Sequence, residues 1–206
     1  KTLKRLNDAM ILSRLTGMGA EEAVSSLTAA VNSFNKAGIT SAQVVNKMAK
    51  VDQAFAVSSD DLAKAISRVG SSAVDAGVSM DELLAITTAV QQRTARGGAV
   101  IGNAFKTIFT RIGRTDVQKK LRAIGVETRD MTTGAMLPAT KVLQNLANRF
   151  QDLSQAQQNQ LAESVAGVFQ VNVLRAALGD LASKYGVYNR ALRESATATN
   201  EAYKKN

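Results

Sequence analysis

Five times along this chain a serine or threonine is followed three residues later by an acid or an amide: Thr40 and Gln43, Ser58 and Asp61, Ser79 and Glu82, Thr115 and Gln118, Ser154 and Gln157. At a helix start this spacing lets the hydroxyl accept from the third helical N–H while the later side chain reaches back to the N–H of the capping residue. The aspartate version at Ser58 has the shortest reach and is the weakest of the five. Glycine precedes two of these pairs, in Ala37-Gly38-Ile39-Thr40 and Ala76-Gly77-Val78-Ser79, and Ile124-Gly125-Val126 repeats the glycine without a cap. A helix can stop there on a left-handed glycine, fold an apolar residue over its end and give way at once to the next helix. So many starts in 206 residues predict an all-α fold, a compact stack of about nine or ten short antiparallel helices.

The apolar periodicity agrees. Val24, Leu27, Val31 and Phe34 form one stripe at helical spacing, Val44, Met48, Val51 and Phe55 a second, and Leu62, Ile66, Val69 and Ala73 a third. Leu83, Ile86 and Val90 follow, then Phe105, Ile108, Phe109 and Ile112, the most apolar face, and finally Leu143, Leu146, Phe150 and Leu153. Each stripe needs a partner, because an isolated helix of this length is marginal in water. The pattern fails in VETRDMTTGAML, which predicts a small irregular excursion or hairpin near residues 127–137, with Pro138 in the first turn of the next helix. Beyond Tyr185 the chain turns polar and is expected to be a solvent-exposed helix or a frayed tail. The division expected is residues 1–57 as a helical region packing on a core of residues 58–182, with 183–206 as a polar C-terminal helix or tail continuing into a longer parent protein. The opening KTLKRL, which lacks an initiator methionine, also suggests part of something longer.

Composition removes whole classes of chemistry. There is no cysteine and no histidine, which excludes disulfides, thiolate nucleophiles, Cys/His zinc sites and imidazole bases. No apolar run approaches the ~18 residues of a membrane-spanning helix, so no membrane contact is expected. Charge is uneven: residues 93–141 hold ten of the cations (Arg93, Arg96, Lys106, Arg111, Arg114, Lys119, Lys120, Arg122, Arg129, Lys141) against three acids, a net of +7 in a chain of +9. Such a concentration attracts either phosphate backbones or an acidic protein wall.

Within that segment, TARGGAVIGNAFKTIFTRI invites comparison with a phosphate-binding loop. Gly97 and Gly102 have the right separation, but Asn103 stands where a lysine must neutralise phosphate and Ala104 where a hydroxyl must hold the metal. The glycines are better read as a tight turn between helices, the second of which presents Val100 or Ile101, Phe105, Ile108, Phe109 and Ile112 on its apolar face, with Gly102 and Ala104 permitting close approach to a neighbour. Ser58, Ser59, Asp60 and Asp61 place hydroxyls beside carboxylates without a base to activate them and read as a helix cap. Glu21-Glu22 and Asp81-Glu82 read as first-turn acids facing a helix dipole. No catalytic residue, cofactor, metal site or small-molecule substrate is predicted. The candidate interface is Phe105, Ile108, Phe109 and Ile112, as a packing centre within the domain or between copies, with Arg111, Arg114, Lys119, Lys120 and Arg122 as contacts for an acidic protein surface.

The order of pieces from Ser58 to Gly179 resembles the core domain of phage tail tape-measure proteins: an alanine-rich helix ending in AGVSMDEL, a small-residue turn, a helix with paired Phe105 and Phe109, IGV before an excursion containing Gly134, Pro138 before an amphipathic helix, and a Gly167 turn into another apolar helix. Two departures from the family's pattern are TARGGAVIG at the glycine-rich turn and GSSAVDAG where relatives often carry a proline. The resemblance implies a structural, non-enzymatic virion component of the tail lumen or tip. It implies assembly in the host cytoplasm with tip or baseplate proteins and the tail tube, a role in tail length, and release at DNA ejection. It also implies self-association, with three copies expected, and transient contact with genomic DNA. Two other readings are a nucleic-acid-binding helical module using residues 93–141 and a murein-degrading or membrane-active tail segment. A continuous helix of 206 residues would reach only about 300 Å, so the ruler itself is expected to lie in a longer parent.

Overall fold

In the computed structural model, which describes residues 2–204, helices begin close to where the hydroxyl pairs place them. The order is α1 (Thr2–Thr16), α2 (Ala20–Ser33), a 3-10 turn (Asn35–Ala37), α3 (Ser41–Ala54), α4 (Ser59–Asp75), α5 (Met80–Thr94), α6 (Gly98–Ile112) and α7 (Thr115–Ala123). Then come α8 (Ala139–Phe150), α9 (Gln155–Ala166), a second 3-10 turn (Val168–Gln170), α10 (Val171–Leu181), α11 (Val187–Ala196) and α12 (Glu201–Lys204). Thr40, Ser79 and Ser154 form reciprocal capping boxes with Gln43, Glu82 and Gln157, and Ser58 accepts from the Asp61 amide. The fifth pair is displaced. Arg114 occupies the N-cap of α7, Thr115 lies inside the first turn, and Gln118 Nε2 donates to the Gly113 carbonyl at 3.1 Å. Only Gly113 and Arg114 separate α6 from α7, and the buried Gln118 turns inward to satisfy that short connection.

Gly77 shows how the predicted turns work. Its φ of 72° lets the Val78 amide reach back to the Ala73 carbonyl at 2.8 Å, which closes α4 and points Val78 into the core. The same turn docks the excursion: the Ala139 amide donates to the Ala76 carbonyl at 2.9 Å, and Pro138 packs beside Gly77 as the N-cap of α8. Between α7 and α8 the chain makes a single antiparallel bridge, Arg129 to Met136, with Leu137 donating to the Thr128 carbonyl at 3.0 Å. No strand forms among the described residues.

One hydrophobic cluster runs from Ala9 to Ala202. Helix α5 lies at its centre, with Leu83 through Val90 buried on every side, and it is covered by α11, α10, α4 and α6. The most extensive packing is α4 against α6, while α2 lies on the other side of α4 and α1 joins α2 to α3. The predicted stripes face the core, with Phe55 and Leu153 half-buried at their ends and one rotation: in α2 Ala23 replaces Val24, which stays exposed, so that the buried set is Ala23, Leu27, Ala30 and Val31.

Twelve α-helices stand among the described residues, more than the nine or ten expected, and between residues 187 and 202 the C-terminal segment packs one face on the core instead of standing off as an exposed or frayed tail. Tyr188, Ala191 and Ser195 bury one face of α11 against α5 and α3. The buried Asp180 carboxylate accepts from the Val187 and Tyr188 amides at 3.0 and 2.7 Å and so fixes the start of α11. Lys47 Nζ then joins three helices by donating to Asp81 Oδ1 at 2.7 Å and to the Ser195 carbonyl at 3.0 Å. Ala202 is buried, and its amide donates to Asn46 Oδ1 at 3.0 Å, which seats α12 on α3.

Candidate assembly surface

The Gly97-Gly98 turn grips the protein itself. Gly97 has φ of 82°, its amide donates to Gln91 Oε1 at 2.9 Å, and the Gly98 amide donates to Asp61 Oδ1 at 2.8 Å. The N–H groups that would cradle a phosphate are therefore spent on side chains, one of them a carboxylate that would repel it. The glycines instead permit a helix crossing: added β-carbons on Gly98 and Gly102 would meet the backbone of Asp61 and Ala65 at 1.8 and 2.8 Å. Of the two residues expected to start the apolar face, Ile101 is buried and Val100 is not.

Phe105, Ile108, Phe109 and Ile112 are all buried within the chain. Phe105 and Phe109 stack with ring centroids 5.3 Å apart. Of the two alternatives for this face, a packing centre inside the domain is the one found, and none of the four offers surface to another copy. Their expected place at an interface is corrected for a physical reason: α4, α5 and α9 already cover α6. Truncating Phe105 to alanine is expected to cost about 3–5 kcal/mol, as for other buried aromatic side chains.

The five basic candidates separate into two kinds. Arg111 is structural: its Nε donates to the Ser164 carbonyl at 2.9 Å and its Nη2 to the Glu163 carbonyl at 3.3 Å, satisfying the C-terminal end of α9. Arg114 folds back on Asp116, with Nε to Oδ1 at 3.1 Å. Lys120 Nζ donates to Ser164 Oγ at 2.9 Å, a neutral oxygen, and keeps its charge on the surface. Lys119 and Arg122 are exposed. The ion pairs formed among the described residues involve none of Arg111, Lys119, Lys120 and Arg122.

The rest of the basic segment is dispersed. Arg93 lies against the buried Asp180 at 3.6 Å and donates to the Gly179 carbonyl at 3.2 Å, and Arg129 donates to the Gly134 carbonyl at 3.0 Å. Both hold the chain's own turns. The predicted caps are likewise structural: Ser59 Oγ donates to Asp52 at 2.7 Å, and the Asp61 carboxylate serves Ser58 and Gly98. Among the described residues no three carboxylates gather as a metal site. No single helix there is long and apolar enough to cross a membrane, and α9 with α10 reaches that length only across a bend of 107°.

The exposed apolar surface lies elsewhere than predicted. Leu3, Leu6 and Met10 mark one face of α1, Met131 and Met136 flank the excursion, and Val168 and Phe169 form a corner between α9 and α10. Phe169 is 89 % exposed, whereas Phe34, Phe105, Phe109 and Phe150 are 4 % or less. The signal for this corner was present in Gly167-Val168-Phe169, where two large apolar residues directly follow a helix-ending glycine. A family model described as phage-related minor tail protein matches residues 1–167. No solved structure matches the chain.

Proposed function

We propose a tape-measure role for this chain, which belongs to the family of phage-related minor tail proteins and is thereby a structural component of a phage tail. The observation that carries this reading is the family match across residues 1–167; the order of turns and helices from Ser58 to Gly179 supports the finer assignment. The folded stack serves as an anchor within the tail lumen at the tip or baseplate. Extended helical parts of the same protein set the tube length, and the whole leaves ahead of the DNA at ejection. Three copies close around the tail axis, the usual cyclic solution for a homo-oligomer, and contact with genomic DNA is transient.

The geometry favours this over a nucleic-acid-binding module. Arg93 and Arg114 lie against the chain's own carboxylates, and the exposed Arg96, Lys106, Lys119, Lys120, Arg122 and Lys141 are divided among the α5–α6 turn, α6, α7 and α8, whereas a phosphate backbone calls for cations converging on one face. Three of the exposed cations, Lys119, Lys120 and Arg122, fall together on α7. In-frame deletions in the helical regions of the parent protein outside this domain test the reading. Tails that shorten in proportion to the residues removed support it, and tails of unchanged length contradict the ruler while leaving tail membership intact.

A further inference from the structure

We propose that Val168 and Phe169 are the apolar anchor of a docking site for an acidic, apolar-rich segment of another tail protein, with Arg111 and Lys120, the two cations that touch the end of α9, as its electrostatic rim. The inference rests on the tail assignment and adds to it a site and a partner chemistry. Single exposed apolar residues are ordinary on protein surfaces. Here two adjacent ones, 71 % and 89 % exposed, stand at the apex of a corner that is held from several sides.

Gly167, with φ of 71°, ends α9, and its amide donates to the Glu163 carbonyl at 2.8 Å. Arg111 binds the Ser164 and Glu163 carbonyls on the same turn. Before the corner Val165 and Ala166 are buried, and after it Val173 and Leu174 are buried. The Val168–Gln170 turn therefore presents its side chains from a fixed frame, and a preorganised anchor loses little freedom on binding.

Charge names the partner. Residues 111–124 and 155–175 carry six cations and two carboxylates. Of the carboxylates, Asp116 is paired with Arg114 and Glu163 is the only acid of α9. Arg111 and Lys120 both contact Ser164, three to four residues before the corner, and both are satisfied there by neutral oxygens. Their charge is left uncompensated beside exposed apolar side chains. Between α7 and α9 a groove of about 210 Å³, lined by Ile124, Leu153 and Leu161 with Lys120 at its edge, offers a second apolar contact. A partner that covers this surface must supply carboxylates opposite Arg111 and Lys120 and an apolar pocket for Phe169. DNA would leave Val168 and Phe169 against phosphates, and one phenylalanine is not a stacking track for bases.

The test places p-benzoylphenylalanine at position 169 of the full-length protein and, in a control, at the exposed Tyr185, followed by irradiation of purified particles and identification of the linked peptide. The expected product at 169 is a peptide of a different tail protein in which Asp and Glu outnumber Lys and Arg, with the yield falling several-fold in Lys120→Glu particles and no such peptide from position 185. Linkage at 169 to a second copy of this chain, to DNA, to lipid or to a neutral or basic peptide overturns the proposal, as does the absence of linkage. Failure of the tail assignment looks different, since the protein would then be missing from purified particles altogether.

Discussion

The Gly98 amide donates to the Asp61 carboxylate at 2.8 Å, and a β-carbon on Gly98 would lie 1.8 Å from the Asp61 carbonyl oxygen. One contact thus joins the start of α6 to the first turn of α4, the most extensive helix pair in the molecule. A side chain at this point must push the two helices apart along the face that buries Leu62, Ile66, Ile101 and Phe105. Gly98→Ala is therefore expected to destabilise the chain by about 3 kcal/mol or more, at or above the upper end of ordinary overpacking. Thermal or denaturant unfolding measures it, and a loss below about 1 kcal/mol would contradict the crossing.

Tyr188 tests whether the C-terminal segment belongs to the core. It is 1 % exposed, and burial followed by the nearby Glu82 carboxylate pushes its phenol well above the usual value. Tyr188→Ala is expected to cost about 3–5 kcal/mol. Because the folded-state pKa is the higher one, this group's contribution is full below about pH 10 and is lost as pH rises beyond it. Tyrosinate absorbance from Tyr188 should appear only with alkaline unfolding. Ionisation near pH 10 in the intact fold would contradict the buried placement.

The exposed cations should be separable from the structural one. Lys119→Glu and Arg122→Glu are expected to shift stability by less than about 0.5 kcal/mol, as at other open surface positions. Arg111→Met, which leaves the Ser164 and Glu163 carbonyls without their donor, is expected to cost about 1–2 kcal/mol. The combined Arg114→Glu, Lys119→Glu, Arg122→Glu chain should fold yet give tails of irregular length. Normal particles with full infectivity from that variant would reduce α7 to a solvated face.

Asp130 holds the excursion through its carboxylate, which accepts from the Thr133 amide at 2.7 Å, the Thr133 hydroxyl at 3.0 Å and the Thr132 amide at 2.9 Å. These bonds, the Thr133 amide first, draw its pKa below the ordinary aspartate value. The sign follows: the stabilisation is present at neutral pH and is lost as pH falls below about 4 through the lower folded-state value. The Thr133 amide resonance should titrate with a midpoint below the usual carboxylate range and stop titrating in Asp130→Asn. A midpoint at or above about 4 would contradict the geometry.

Helix starts were legible because a cap is a local device: Thr40 with Gln43 and Ser79 with Glu82 need only their own first turn. The turn at Gly77 was legible for the same reason. Two things were not. The α11 face is built from Tyr188, Ala191 and Ser195, and its small and hydroxyl-bearing residues leave no apolar stripe; it is buried because α5 and Asp180 lie opposite, which is tertiary information. The role of Phe105 and Phe109 was readable as packing but not as packing against what, since periodicity gives a face and not its partner. Likewise Arg111 and Lys120 look alike in a basic run. Only the C-terminal end of α9, more than 40 residues away in sequence, separates a turn-holding guanidinium from an ammonium that keeps its charge outward.

The most direct measurement is an unsymmetrised cryo-EM reconstruction of the intact particle. Density for this helical stack is expected inside the tail lumen at the tip or baseplate, with the α7 surface and the Val168–Phe169 corner turned toward neighbouring tail proteins. Density for the stack on the outer surface of the tail, or in the head, would contradict that placement.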